Sequence, residues 1–125
     1  MPAEKLSRKQ FHGVWIFEEW RIEYEDGSIT HPMGKNARGQ IIYLEDGIVT
    51  VTILNAERAF NYVANWSLKD DNVLHEITSS LNGKAGTSSV RKVEFDGENS
   101  LTLSTYEIKK NGQKRQHFLQ WEKMK

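Results

Sequence analysis

A chain of 125 residues is the size of one domain, because dividing its core would leave two halves too small to offset their own ordering entropy. Charge is balanced, 17 Lys and Arg against 17 Asp and Glu, so no overall field draws in nucleic acid or an anionic membrane. Cysteine is absent, which excludes disulfides, thiolate metal sites and a thiol nucleophile, while 38% hydrophobic and 27% charged residues fit a packed, soluble globule.

At the N-terminus Ala3 and Leu6 are spaced like one helical face, Pro2 suits a first turn and Gly13 a stop after Phe11. That spacing predicts a short helix between Pro2 and Gln10. The opening stretch, MPAEKLSRKQFHG, is charged throughout and lacks the apolar run of a signal peptide, and no later segment has the length of a membrane span, so a cytoplasmic location is expected.

From Val14 onward the pattern becomes β: runs of Val, Ile, Thr and aromatics broken by Asp26-Gly27, Asp46-Gly47, Asp96-Gly97 and Asn111-Gly112, pairs that favour tight hairpin turns. The strands between them run from Val14 to Tyr24, Gln40 to Leu44, Ile48 to Leu54, Tyr62 to Leu68, Val73 to Leu81, Ser88 to Phe95, Leu101 to Lys109 and Lys114 to Glu122, with room for a short extra strand at Ile29 to His31. The gap from Asn55 to Phe60 is too short for the crossover helix of a parallel sheet. An up-and-down meander of about eight antiparallel strands most simply closes into a barrel, which removes both edges and leaves an interior wide enough for side chains or one small ligand. A sandwich is the alternative. Ser79 to Ser89, SSLNGKAGTSS, reads as a mobile loop, and the basic cluster Lys109, Lys110, Lys114 and Arg115 as a solvated turn.

Gly13-Val14-Trp15 at the head of the first strand resembles the Gly-x-Trp signature of lipocalins. That likeness implies a Trp that closes the barrel base against a basic residue of the last strand, where Lys123 stands; a cation over an indole contributes about 0.5 to 2 kcal/mol. The order of GVW at 13–15, EDGSITHPMG at 25–34, GQIIYLEDGIVTV at 39–51 and RKVEFDGENSLTLST at 91–105 is similar to the bacterial lipocalin-like domain family. The resemblance implies a lipocalin-like barrel, and it says more about fold than about activity.

Period-2 alternation sorts interior from exterior. In the first strand Trp15 and Phe17 share a face with Glu19, Arg21 and Glu23, and Ile16, Trp20, Ile22 and Tyr24 share the other with Glu18. If Trp15 points inward, Glu19 and Arg21 follow it as a polar anchor for a ligand, unless a bulge switches faces and leaves both in solvent. Tyr62, Ala64, Trp66 and Leu68 form the cleanest apolar face. His75 shares a face with Val73 and Ile77, and His117 with Leu119 and Trp121; each is either a packed core histidine or, with Glu19, acid/base apparatus. His12 and His31 fall at the ends of elements. These candidate ligands sit singly on different strands, so no metal site and no cofactor are expected, and no Gly-rich phosphate loop or nucleophile elbow is present.

Three functions fit this pattern. The first is binding of a small hydrophobic or aromatic molecule in the barrel by Trp66, Tyr62, Tyr43 and Tyr106, with Trp20, Arg21, His75 or Glu19 setting its orientation. The second is a cofactor-free isomerase, cyclase or hydratase using His75, His117 and Glu19 as acid/base on a hydrophobic metabolite. The third is a filled-core structural domain. A small hydrophobic molecule is the expected partner, with no nucleic acid or membrane, in a monomer or homodimer.

Overall fold

The computed structural model describes residues 6–124. Nine strands follow in order: β1 (Gly13–Tyr24), β2 (Ile29–Thr30), β3 (Arg38–Tyr43), β4 (Ile48–Leu54), β5 (Ala59–Lys69), β6 (Asn72–Ser80), β7 (Ser88–Asp96), β8 (Ser100–Ile108) and β9 (Lys114–Lys123). Each of β3 to β9 pairs antiparallel with the next, β1 pairs with β3, and a second pairing of β1 with β9 closes the sheet. The result is an eight-stranded antiparallel barrel, with β2 a two-residue ribbon on the far half of β1. Closure of β1 on β9 removes the two long edges that an open sheet would present to another strand.

Of the helix expected between Pro2 and Gln10, residues 1–5 lie outside the described part. What is described is one 3-10 turn, Arg8–Gln10, capped by Ser7 and Gln10 in a reciprocal capping box. The turn feeds Phe11 into the barrel, where it is fully buried. Gly13 follows with φ +121°, a backbone conformation open to glycine and strained for other residues. It swings the chain so that Trp15 lies across the base: the indole Nε1 donates to Phe11 O at 2.8 Å and Lys123 Nζ stands 5.1 Å from the ring centre.

The base is solid. Phe11 packs edge-on to Tyr43 at 5.1 Å and to Phe95 at 5.2 Å, Tyr43 lies edge-on to Trp66 at 4.9 Å, and the Arg8 guanidinium covers Trp66 at 4.0 Å. Offset and edge-on rings at these separations are the favoured aromatic geometries.

One bulge decides what enters the barrel. In the β1–β9 ladder Phe17 pairs with Trp121 and Glu19 with Gln120, so Glu18 is an extra residue with no partner. A bulge of one residue exchanges the faces of everything after it. Trp15 and Phe17 therefore point inward, and beyond Glu18 the inward residues are Trp20 and Ile22, opposite Leu119 and His117. A second bulge at Thr78 of β6 lies between Ala64↔Ile77 and Val63↔Ser79. No helix among the described residues is long and apolar enough to cross a membrane.

Candidate ligand site at the mouth of the barrel

The alternation of β5, β6 and β7 brings Tyr62, His75, Ile77, Ser89 and Arg91 to the inner face near the end away from the aromatic base. His75 is fully buried. Both its ring nitrogens are engaged, Nε2 with Tyr43 Oη at 2.8 Å and Nδ1 with Tyr62 Oη at 2.6 Å. Burial, reinforced by the nearby Arg91 charge, pushes the imidazole down to about 3, so it is neutral across physiological pH. Burial pushes Tyr62 up to about 12 and Tyr43 well above the usual phenol value, with Arg91 opposing both shifts. The cluster is thus a neutral imidazole between two neutral phenols.

Arg91 is the charge beside it. Its partners across the sheet are Val73 on β6 and, by continuation of the β7–β8 ladder, Thr105 on β8, both inward positions. Its Nη1 is buried with no hydrogen-bond partner, and it forms no ion pair among the described residues. Burial lowers the guanidinium from its ordinary value, with Tyr62, Tyr43 and Glu107 pulling the other way.

His117 closes the opposite wall. Trp20 Nε1 donates to His117 Nδ1 at 3.2 Å, which leaves the proton on Nε2 to donate to Glu107 Oε2 at 3.2 Å. Burial, then Arg91, lowers its affinity for a proton. Glu107 is also held by Arg115, whose Nε lies 2.9 Å from Oε1; these bonds outweigh burial and keep the carboxylate low. Trp20 packs on Phe60 at 5.4 Å, and Phe60 edge-on to Tyr62 at 5.8 Å.

Between these walls a cleft of about 280 Å³ opens to solvent, lined by Phe60, Tyr62, Ile77, Arg91 and Thr105, with Lys84 and Glu107 as its other charged side chains. Its outer rim is the segment from Leu81 to Thr87, read above as a mobile loop. Here it is tied to β5: Asn82 Oδ1 accepts from Asn61 N at 2.9 Å and its Nδ2 donates to Ala59 O at 3.0 Å.

The candidates divide accordingly. Tyr43, Tyr62 and His75 meet in one cluster; Trp20 and His117 meet in another across the mouth. Trp66 does not belong with them. It is packed into the base, 3% exposed, its Nε1 donating to Leu44 O at 3.0 Å. Tyr106, 77% exposed, points outward from β8 and meets the cleft only at its rim. Glu19 and Arg21, an interior anchor only if no bulge intervened, stand on the outer face because of the Glu18 bulge. There Arg21 Nη1 pairs with Glu19 Oε1 at 2.9 Å, Arg21 Nε with Glu23 Oε2 at 2.8 Å, and His31 Nε2 with Glu19 Oε2 at 3.1 Å. The acid/base trio of His75, His117 and Glu19 is therefore not assembled.

Arg91 was missed, though β7 carries its signal. Val93 and Phe95 mark the inward face of Ser88-Ser-Val-Arg-Lys-Val-Glu-Phe95, and two residues back along that face is Arg91. No group of three His, Asp or Glu side chains gathers at metal-holding distance among the described residues.

Comparison with known proteins agrees with this architecture. The bovine odorant binding protein, solved in complex with a selenium-containing odorant, superposes with a TM-score of 0.52 at 13% identity, covering 100% of this chain and 77% of that one. A redesigned β-barrel gives a TM-score of 0.48 at 14% identity over 90% of this chain and 92% of its own. No curated protein matches the sequence. The family model of a lipocalin-like domain matches residues 12–87, from the Gly-x-Trp strand through the rim of the mouth. The chain belongs to the lipocalin-like domain family.

Proposed function

We propose that the protein binds a small hydrophobic molecule in the cleft at the mouth of its barrel. The observation that carries this reading is the opening of about 280 Å³ against Phe60, Tyr62 and Ile77 in a barrel whose interior at the opposite end is filled by Phe11, Tyr43 and Trp66. Ligand pockets run from about 300 to 1,000 Å³ and combine apolar walls with a few polar groups. At about 280 Å³ this cleft falls just below that range, with space for roughly nine waters at liquid density, so it favours a small ligand over a long lipid. The similarly folded bovine protein was solved with a selenium-containing odorant, which supports the reading. Binding is favoured over catalysis because a neutral His75 with both nitrogens occupied has little to offer as a base.

The test is titration with benzyl alcohol and 1-hexanol, followed by tryptophan fluorescence and NMR. Ile77→Trp fills the cleft, and it is expected to weaken both alcohols by about tenfold or more while the thermal transition stays cooperative. Unchanged affinity in a folded Ile77→Trp protein would place any binding elsewhere and overturn the reading.

A further inference from the structure

Among the described residues, the positive charge of Arg91 at the mouth has no ion-pair partner. Arg91 carries a guanidinium with a buried, unpartnered Nη1. Its immediate neighbours, Tyr43, Tyr62 and His75, are neutral. The carboxylate nearest in effect, Glu107, is already engaged by Arg115 and His117. Buried charge is costly unless paired, and a buried polar atom without a partner calls for an explanation.

The histidine adds a second unused donor. A neutral imidazole has one N–H, so His75 donates to one tyrosine and accepts from the other. The tyrosine that accepts keeps its own O–H proton for something else, and neither hydroxyl has a second protein partner among the described residues. Arg91 and Tyr62 thus both line a cleft of mixed polarity, in which the carboxylate of Glu107 is already engaged by Arg115 and His117.

We infer that the ligand is a monoanion, a small carboxylic acid whose carboxylate docks on Arg91 and on the free proton of the Tyr43–His75–Tyr62 cluster, with its apolar body against Phe60 and Ile77. This deepens the proposed function and rests on it. The planar fork of arginine matches a carboxylate in two parallel bonds, which a lysine or a neutral donor does not reproduce. Cleft volume sets the size: benzoate, phenylacetate and hexanoate fit, whereas a long-chain acid would have to leave most of its chain in water.

The experiment pairs each acid with its uncharged counterpart at pH 7: benzoate with benzyl alcohol, hexanoate with 1-hexanol, titrated by NMR into the intact protein and into Arg91→Met and Arg91→Lys. The carboxylates are expected to bind about 10- to 100-fold more tightly than the alcohols, the value of hydrogen bonds to a charged group. Arg91→Met should remove that advantage, so that each acid binds no more tightly than its alcohol. Arg91→Lys, which keeps the charge and loses the fork, should fall between. The apo Arg91→Met protein should melt no lower than the parent, since an apolar replacement removes a half-buried guanidinium whose Nη1 has no partner; a large loss of stability in both variants would make Arg91 structural and overturn the inference. Equal affinity for acids and alcohols would also overturn it while leaving a hydrophobic site intact. Failure of both classes to bind would remove the site itself.

Discussion

His75 shows how one side chain can be central to a site and unsuited to acid/base work there. It lies between two phenols with no exposure, and burial followed by Arg91 holds its pKa at about 3. The unfolded chain takes up a proton near pH 6.5 and the folded chain does not until about 3, so between those values the unfolded state binds more protons and stability falls as pH falls. The contribution is complete above pH 6.5 and declines at up to about 1.4 kcal/mol per pH unit below it. Urea unfolding at pH 7, 6, 5 and 4 should show this slope in the parent and lose most of it in His75→Gln, which should itself cost about 1 to 3 kcal/mol at pH 7 by leaving a phenol unsatisfied. Equal slopes in the two proteins would mean that His75 is accessible to protons in the fold. Its inward position was legible from Val73 and Ile77 on either side; its neutrality was not, because that depends on Tyr43 and Arg91, which reach it from β3 and β7.

Strand β1 shows where periodicity stops being sufficient. Its apolar alternation changes phase at Glu18-Glu19, from Trp15 and Phe17 to Trp20 and Ile22, and there Glu18 has no partner in the ladder, so the two halves of the strand face opposite ways. The reason is energetic. Without the bulge, Glu19 and Arg21 would enter beside Leu119 while Trp20 and Ile22 turned to water, exchanging two apolar residues for two charged ones in the interior. The sequence carried both possibilities, and only the pairing with β9 chooses between them. Deleting Glu18 should therefore be far worse than substituting it. Glu18→Ala, on an exposed position, should alter stability by less than about 0.5 kcal/mol, whereas the deletion should cost more than about 4 kcal/mol or abolish cooperative unfolding. A well-folded deletion variant would show that the faces of β1 are not fixed by this residue. Strand β6 carries the second bulge, at Thr78, but its inward Val73, His75 and Ile77 all precede it. The apolar face of Tyr62, Ala64 and Trp66 is buried as its alternation requires, and the four Asp-Gly and Asn-Gly pairs each place a positive-φ glycine at a hairpin turn.

Over the whole molecule the barrel is divided into a packed base and a polar, partly open mouth. The base is built by the elements that the Gly-x-Trp motif made readable: Gly13, Trp15 and Lys123, with Phe11 and Trp66 completing the plug. This is why Trp66, attractive as a ligand contact by residue type, is core instead. The mouth was less readable, since its residues come from six strands, β1 and β5 to β9, and are ordinary in each. Amide shift mapping during a benzyl alcohol titration tests the division most directly. The account predicts shifts confined to the mouth, around Phe60, Ile77, Arg91, Thr105 and the Leu81 to Thr87 rim, with Phe11, Trp15 and Trp66 silent. Shifts centred on the base, or on the outer cluster of Glu19 and His31, would contradict it.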